Sequence, residues 1–189
     1  MTPLTIDAAI LAGGQARRFG GADKGALVVG GRTIRERQLA ALAGIACDVR
    51  IVTHDRVPGC GPLGGVYTAL AETSADRTIV LACDMPFVSA ELLAHLSTLA
   101  AADNADLVVP RTGRGYHPLC AVYARACLEP MADRLAARRL KMTDLFEDVR
   151  VRVVTADELK PFGDPDWLLA NVNSPAHYRE LEALHGHEL

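Results

Sequence analysis

Apolar residues fall along the chain in short runs that stop at glycine, proline or aspartate, with helix-like spacing between many of them. Ile6 to Leu11 is one such run; it ends before Gly13-Gly14 and predicts a buried strand entering a glycine loop. Thr33 to Leu42 predicts a helix, with Thr33 placed to cap it and Ile34, Leu39 and Leu42 to share a face. Val49 to Thr53 predicts a second strand, and Gly64 to Glu72 a helix opening after a Gly-Pro-Leu turn. Thr78 to Ala82 is apolar and β-branched, hence a third strand, stopping at Cys83-Asp84. A helix is expected from Ser89 to about Ala102, with Glu91 in its first turn. Strands at Asp106 to Val109 and Leu119 to Tyr123 follow, then a helix at Leu128 to Ala137, a strand at Arg150 to Val154 and a closing helix from Pro175 to Leu184. Strands alternating with helices imply parallel pairing, and runs such as Ile79-Val80-Leu81 suit a sheet covered on both faces. The expected fold is α/β: one three-layer α/β/α domain over residues 1–189 with a mostly parallel central sheet. Such sheets bind ligands beyond the carboxyl ends of their strands, where Gly13-Gly14 and Asp84 both fall.

Composition narrows the classes of function. Half of the 189 residues are hydrophobic and 23% are charged, a globular balance that fits one core. With 20 Lys+Arg against 23 Asp+Glu the net charge is −3, too little cationic surface for a general nucleic-acid binder. No apolar run reaches the roughly 18 residues of a membrane span, and no signal peptide is evident. Neither nucleic acid nor membrane is expected as a partner. The cysteines (Cys47, Cys60, Cys83, Cys120 and Cys127) are odd in number and form no C-x-x-C pair, which predicts reduced thiols and a cytoplasmic location.

Three motifs carry chemistry. The first, Leu11 to Gly25, holds five glycines, with Arg17, Arg18 and Lys24 set against Asp23 alone. Glycine backbones permit close approach, exposed N–H groups surround phosphate oxygens, and the cations grip them. A solvated surface turn is the plainer alternative. The loop reads neither G-x-x-x-x-G-K-[ST] nor G-x-G-x-x-G, which disfavours a Walker loop and a dinucleotide site. The second motif, Asp55 to Gly65, is a proline- and glycine-rigidified turn leading into a helix; it is a tight connector or a ligand wall. The third, Ala82-Cys83-Asp84-Met85-Pro86, puts a carboxylate at a strand end, where it caps the next turn or holds Mg²⁺, an ion that needs only one or two protein carboxylates.

In this order the motifs resemble those of the molybdenum cofactor guanylyltransferases, nucleotidyltransferases of the GT-A type. That family opens roughly L-A-G-G-x-x-x-R-M-G-x-D-K; Leu11 to Lys24 matches it with Phe19 for Met and one extra glycine, and the resemblance runs from about Ile10 to Tyr178. It implies a Rossmann-like nucleotidyltransferase fold and transfer of GMP from GTP to molybdopterin or the molybdenum cofactor, releasing pyrophosphate. It implies nucleotide binding by Leu11, Ala12, Gly13, Gly14, Arg17 and Lys24, and a guanine pocket at Asp55, Gly61, Pro62 and Leu63. A carboxylate suits guanine because it accepts hydrogen bonds from ring N–H and amino groups. Asp84 would bind nucleotide and Mg²⁺, and Lys24, Arg18 and Asp84 would form the catalytic set. His117, Asn171 and Asn173 fall in segments that imply acceptor binding. Cofactor-biosynthesis proteins and molybdoenzyme chaperones are the candidate protein partners.

The chain departs from the family pattern once. Family members carry two strands and a connector between the first helix and the Gly-Pro-Leu turn, whereas only Cys47 to His54 fills that stretch here. Val49 to Thr53 matches either strand, and the intact spacing from Asp55 to Gly65 favours the later one. Three alternatives stand beside the guanylyl reading: a molybdopterin cytidylyltransferase, a sugar-1-phosphate nucleotidyltransferase, and a non-catalytic nucleotide- or cofactor-binding protein. Gly13 and the Gly-Pro-Leu-Gly-Gly turn disfavour the first, because cytidylyl relatives open L-A-A-G and lack that turn.

Overall fold

The computed structural model describes residues 4–13, 24–174 and 176–180. Gly14, Arg17 and Arg18 lie outside the described residues, as do Pro175 and residues 181–184 of the expected closing helix; residues 176–180 are helical. The chain runs through β1 (Ile6–Leu11), a 3-10 turn (Lys24–Ala26), a small hairpin of β2 (Val28–Val29) and β3 (Arg32–Thr33), α1 (Ile34–Leu42), β4 (Val49–Val52), α2 (Gly61–Ala71), β5 (Arg77–Ala82) and α3 (Ala90–Ala102). It continues through β6 (Leu107–Thr112), β7 (Gly115–Tyr116), β8 (Cys120–Ala124), α4 (Leu128–Ala136), a 3-10 segment (Met142–Glu147), β9 (Val151–Val154), α5 (Ala156–Leu159) and α6 (Pro165–Leu168).

The main sheet has the order β4-β1-β5-β8-β6, with β9 and β7 both on β6. β1 pairs in parallel with β4 and β5, and β9 with β6, as helical crossovers require. β8 is the exception among the long strands, antiparallel to both β5 and β6. Its cause is the connection: residues 113–119 link β6 to β8 through β7, too short for a parallel crossover. Successive side chains point to opposite faces, so the sheet feeds two cores. Ala8, Ile10, Ile79 and Leu81 pack with Leu92, Leu93 and Leu96 of α3 on one face. Ala9 and Val80 pack with Leu63 and Val66 of α2 and Met131 of α4 on the other. The three-layer α/β/α expectation therefore holds.

Local details differ from the sequence reading in informative ways. Thr33 caps α1 in a full capping box: Glu36 N donates to Thr33 Oγ1 at 3.1 Å and Thr33 N donates to Glu36 Oε2 at 2.8 Å. Leu39 does not share the apolar face; it is 39% exposed, and Gln38 is buried with Ile34 and Leu42 instead. At 3.6 residues per turn Leu39 projects about 140° from Ile34, and Gln38 about 40°. α2 begins three residues earlier than expected because Gly61 takes φ +58° and Pro62 follows at a position whose N–H is not needed. β4 lies directly against β1 at the sheet edge, with Ala8 opposite Val49. A short turn then delivers Asp55 to the same end of the sheet.

A third cluster joins distant parts of the chain. Val29 and Ile34 pack with Phe87, Trp167, Ala170 and Val172, and the Phe87 and Trp167 rings stack at 3.8 Å between centroids. This cluster fastens the turn of Lys24 to the segment 167–173.

α5 is fixed by a second capping box between Thr155 and Glu158, and Arg152 also donates to the Glu158 carboxylate. Chiefly through Arg152, and next through the Thr155 N–H, the Glu158 carboxyl is lowered to about 2. A lowered carboxylate stabilises the fold above its unfolded value, and that contribution disappears as pH falls toward the folded value. In urea titrations, Glu158→Gln is expected to flatten the decline in midpoint from about pH 4.5 down to about 2.

Candidate active site

The carboxyl ends of β1, β4 and β5 open into a cleft of about 720 Å³. One wall is the glycine-loop side: Leu11 and Gly13 line it, and a Cβ on Gly13 would lie 3.1 Å from the carbonyl oxygen of Thr53. Glycine lets the β1 end lie this near the β4 end without pushing the Thr53 main chain aside. The Ala12 N–H donates to Val52 O at 2.8 Å, so Ala12 contributes to the frame rather than to the cleft lining.

The opposite wall is the start of α2. Gly59, Cys60, Gly61 and Pro62 line the cleft, while the Leu63 side chain is wholly buried beneath them. Cys60, the N-cap, makes no side-chain cap. The start of α2, the positive end of a helix dipole, thus borders the cleft without a side-chain cap. Asp55 also lines the cleft, and its carboxylate lies beside Gly64 and Gly65, with Oδ1 and Oδ2 each 3.6 Å from the Cβ positions those glycines lack. The turn that carries it is pinned to α2, because Arg56 N donates to Thr68 Oγ1 at 2.9 Å and Thr68 Oγ1 donates to Gly64 O at 2.8 Å. Burial raises the Asp55 carboxyl above its ordinary value, an effect that nearby His54 partly opposes. A ligand that donates hydrogen bonds satisfies this partly desolvated carboxylate.

At the cleft floor, residues from three parts of the chain converge. Lys24 Nζ lies 3.3 Å from Asp84 Oδ2 and donates to Asn173 Oδ1 at 2.6 Å. Asn171 Nδ2 donates to Asp84 Oδ1 at 2.6 Å, and Val172 N donates to the Asp84 carbonyl at 2.6 Å. Asp84 is held at the end of β5 by the Cys83 N–H, which donates to Leu11 O at 3.2 Å. The structure thus brings together Lys24 and Asp84, and it puts Asn171 and Asn173 on that same pair. His117 lies elsewhere: it does not line the cleft, and its Nε2 sits 3.0 Å from Thr112 Oγ1. Burial, then the Arg114 charge, lowers the His117 pKa, near the β7–β8 connection.

Asp84 Oδ2 and Asn173 Oδ1 together accept one cation, the Lys24 ammonium. Two hard oxygens aimed at one positive charge also fit a Mg²⁺ ion that takes its remaining ligands from water and phosphate. Among the described residues no group of three or more His, Cys, Asp or Glu side chains is placed to hold a metal alone. Leu119 and Leu140, assigned no chemical role from sequence, also line the cleft. Leu119 comes in because β8 runs backward and so starts at this end of the sheet; its carbonyl accepts from Ala82 N at 2.8 Å.

Comparison with known proteins gives a consistent picture. Residues 8–153 match the model of the MobA-like NTP transferase domain. A protein of Pelotomaculum thermopropionicum named "Probable molybdenum cofactor guanylyltransferase" is 33% identical over 181 residues, covering 88% of this chain and 87% of that protein. A molybdenum cofactor guanylyltransferase of Desulfosudis oleivorans is 30% identical, covering 92% and 93%. The crystal structure of molybdopterin-guanine dinucleotide biosynthesis protein A from Archaeoglobus fulgidus superposes with a TM-score of 0.77 at 23% identity, covering 94% of this chain and 97% of that one, a likeness of fold.

Proposed function

The chain belongs to the MobA-like NTP transferase family and is a nucleotidyltransferase; from that premise we propose that it transfers GMP from GTP to molybdopterin, or to its molybdenum-loaded form. The observation that carries the site assignment is the contact of Lys24 with Asp84 at the end of β5, in a cleft whose opposite wall is the uncapped start of α2. An oxygen of the acceptor's terminal phosphate forms a bond to the α-phosphorus of GTP, and the bond from that phosphorus to the bridging oxygen breaks. Pyrophosphate leaves with that electron pair. The attacking oxygen is already ionised near neutral pH, so no general base is needed, and the protein's task is to align and stabilise anions.

Each residue has a part in that task. Lys24 leaves Asp84 for the triphosphate, drawn by the greater charge. Asp84, with Asn173 beside it, would hold Mg²⁺, which would neutralise charge developing on the phosphate oxygens. Asn171 keeps the Asp84 carboxylate turned toward the cleft. Asp55 accepts from the ring N–H and amino group of guanine, while N–H groups at the start of α2 donate to its carbonyl. Cytosine offers an unprotonated ring nitrogen where guanine offers N–H, so the same carboxylate disfavours it. Arg17 and Arg18 belong to this reading as further phosphate-binding groups, on the resemblance of their motif alone. One domain suffices for the reaction. A cytoplasmic setting suits the five free thiols, of which Cys120 and Cys127 are held by burial at about 12 and stay inert.

The test is incubation with Mg²⁺, molybdopterin and each of GTP, CTP and ATP, followed by mass analysis of the product. GTP is expected to give the guanine dinucleotide and pyrophosphate. GTP binding with no pyrophosphate release in the presence of acceptor would make the protein a carrier instead. In the same panel, Asp55→Asn is expected to lower the preference for GTP over CTP by about 10- to 100-fold, the loss of a charged hydrogen bond worth about 1.5–3 kcal/mol.

A further inference from the structure

Gln38 is 1% exposed, on the buried face of α1. Its Nε2 donates to Ala82 O at 2.7 Å and to Met85 O at 3.1 Å. Two carbonyl acceptors require the amide nitrogen there, so its orientation is set by chemistry. These carbonyls bracket Asp84: Ala82 ends β5, and Met85 N returns to Ala82 O at 3.4 Å to close the turn. That return bond is long, and the Gln38 contacts to the same turn are shorter. Gln38 Oε1 is buried and has no hydrogen-bond partner among the described residues. Keeping an amide here leaves that oxygen unpaired at a cost in stability.

The same helix also carries the other half of the ion pair. Ile34 N, in the first turn of α1, donates to Leu27 O at 2.9 Å, and Leu27 N donates to Lys24 O at 3.1 Å. α1 is thus a common mount, touching the Lys24 turn at its start and the Asp84 turn through Gln38.

We propose that Gln38 is a positioning residue: its buried amide clamps the turn carrying Asp84 to the helix carrying the turn of Lys24, and so sets the carboxylate where it must meet a nucleotide-bound divalent cation. The inference rests on the reading of Asp84 as the cation ligand. Gln38 touches neither substrate nor metal and acts through main-chain carbonyls.

Two titrations test it: affinity for Mn²⁺–GTP, read by water-proton relaxation enhancement, and affinity for GTP in EDTA, read by calorimetry. Gln38→Met keeps the length and apolar bulk of the side chain and removes both donors. It is expected to weaken Mn²⁺–GTP binding about tenfold, the lower range for losing a group that orients a metal ligand, while metal-free GTP affinity stays within about twofold. Gln38→Leu, which also removes both donors, is expected to do the same and serves if the methionine variant does not fold. Leu42→Ala loosens the same helix from its 0%-exposed core position and leaves both Gln38 donors in place. It is expected to melt lower and keep Mn²⁺–GTP affinity. Unchanged Mn²⁺–GTP affinity in folded Gln38 variants, or an equal loss in Leu42→Ala, overturns the proposal. Asp84→Asn is the separate control: if it leaves Mn²⁺–GTP binding intact, the reading of Asp84 falls and the role of Gln38 with it. If Asp84→Asn abolishes binding and the Gln38 variants do not weaken it, only the role of Gln38 falls.

Discussion

Asp84→Asn is expected to lower turnover about a hundredfold or more, and Lys24→Met by a similar factor, with melting curves and circular dichroism close to wild type. Each change removes one preorganised charge from a site where charge develops on phosphate oxygens, a loss on the order of 3 kcal/mol of barrier. The fold is expected to survive because both side chains are partly exposed at the cleft, 23% for Lys24 and 15% for Asp84. Their partner Asn173 is itself exposed. The double variant is expected to lose little more than either single one, since two groups serving the same phosphates act as a unit. Pyrophosphate release under single-turnover conditions at saturating GTP is the measurement. Near-native rates in both single variants would remove these residues from the chemistry.

The second large effect concerns stability. Arg134 on α4 is 1% exposed, and its Nε donates to Asp148 while Nη2 reaches Glu147 only at 3.7 Å. Asp148→Ala strands a buried guanidinium and is expected to cost about 3 kcal/mol, the low end for breaking a buried pair, because Asp148 is itself 37% exposed. For a chain of this size that is a fall of about 6–12 °C in Tm. Combining it with Arg134→Met, which replaces the charge by an apolar chain of similar length, is expected to restore much of the loss. Calorimetry on the two singles and the double completes the cycle; additive losses would show that the pair is not coupled.

Much of this architecture was legible from local pattern. β1 matched its apolar run residue for residue, and α1 and α3 start directly after the caps Thr33 and Ser89, because side-chain caps are written into the sequence. Strand direction was not legible at β8, because alternation of side chains is the same either way along a strand. The short link 113–119 was the signal that a reversal was required. β2 and β3 were missed because two residues are too few to show a period. Within the site, the glycine loop, Asp55 and Asp84 stood out through residue type and strand-end placement. The attachment of Asn171 and Asn173 to Lys24 and Asp84 did not, since spatial contact across such chain distances leaves no local pattern. Gln38 offered a weaker signal: it falls four residues after Ile34 and four before Leu42, on the face that the apolar positions define.

The Lys24–Asn173 contact spans 149 residues and the Asp84–Asn171 contact 87. A ribosome making this chain therefore finishes every described strand of the main sheet before it supplies the two amides that hold the ion pair. During synthesis the parallel half, β1 with β4 and β5, can form and bury its core as a unit, while Lys24 and Asp84 still lack their carboxamide partners. Assembly of the phosphate-handling cluster thus waits for residues made well after the sheet, and a product cut short before residue 171 would lack both amides of the catalytic floor.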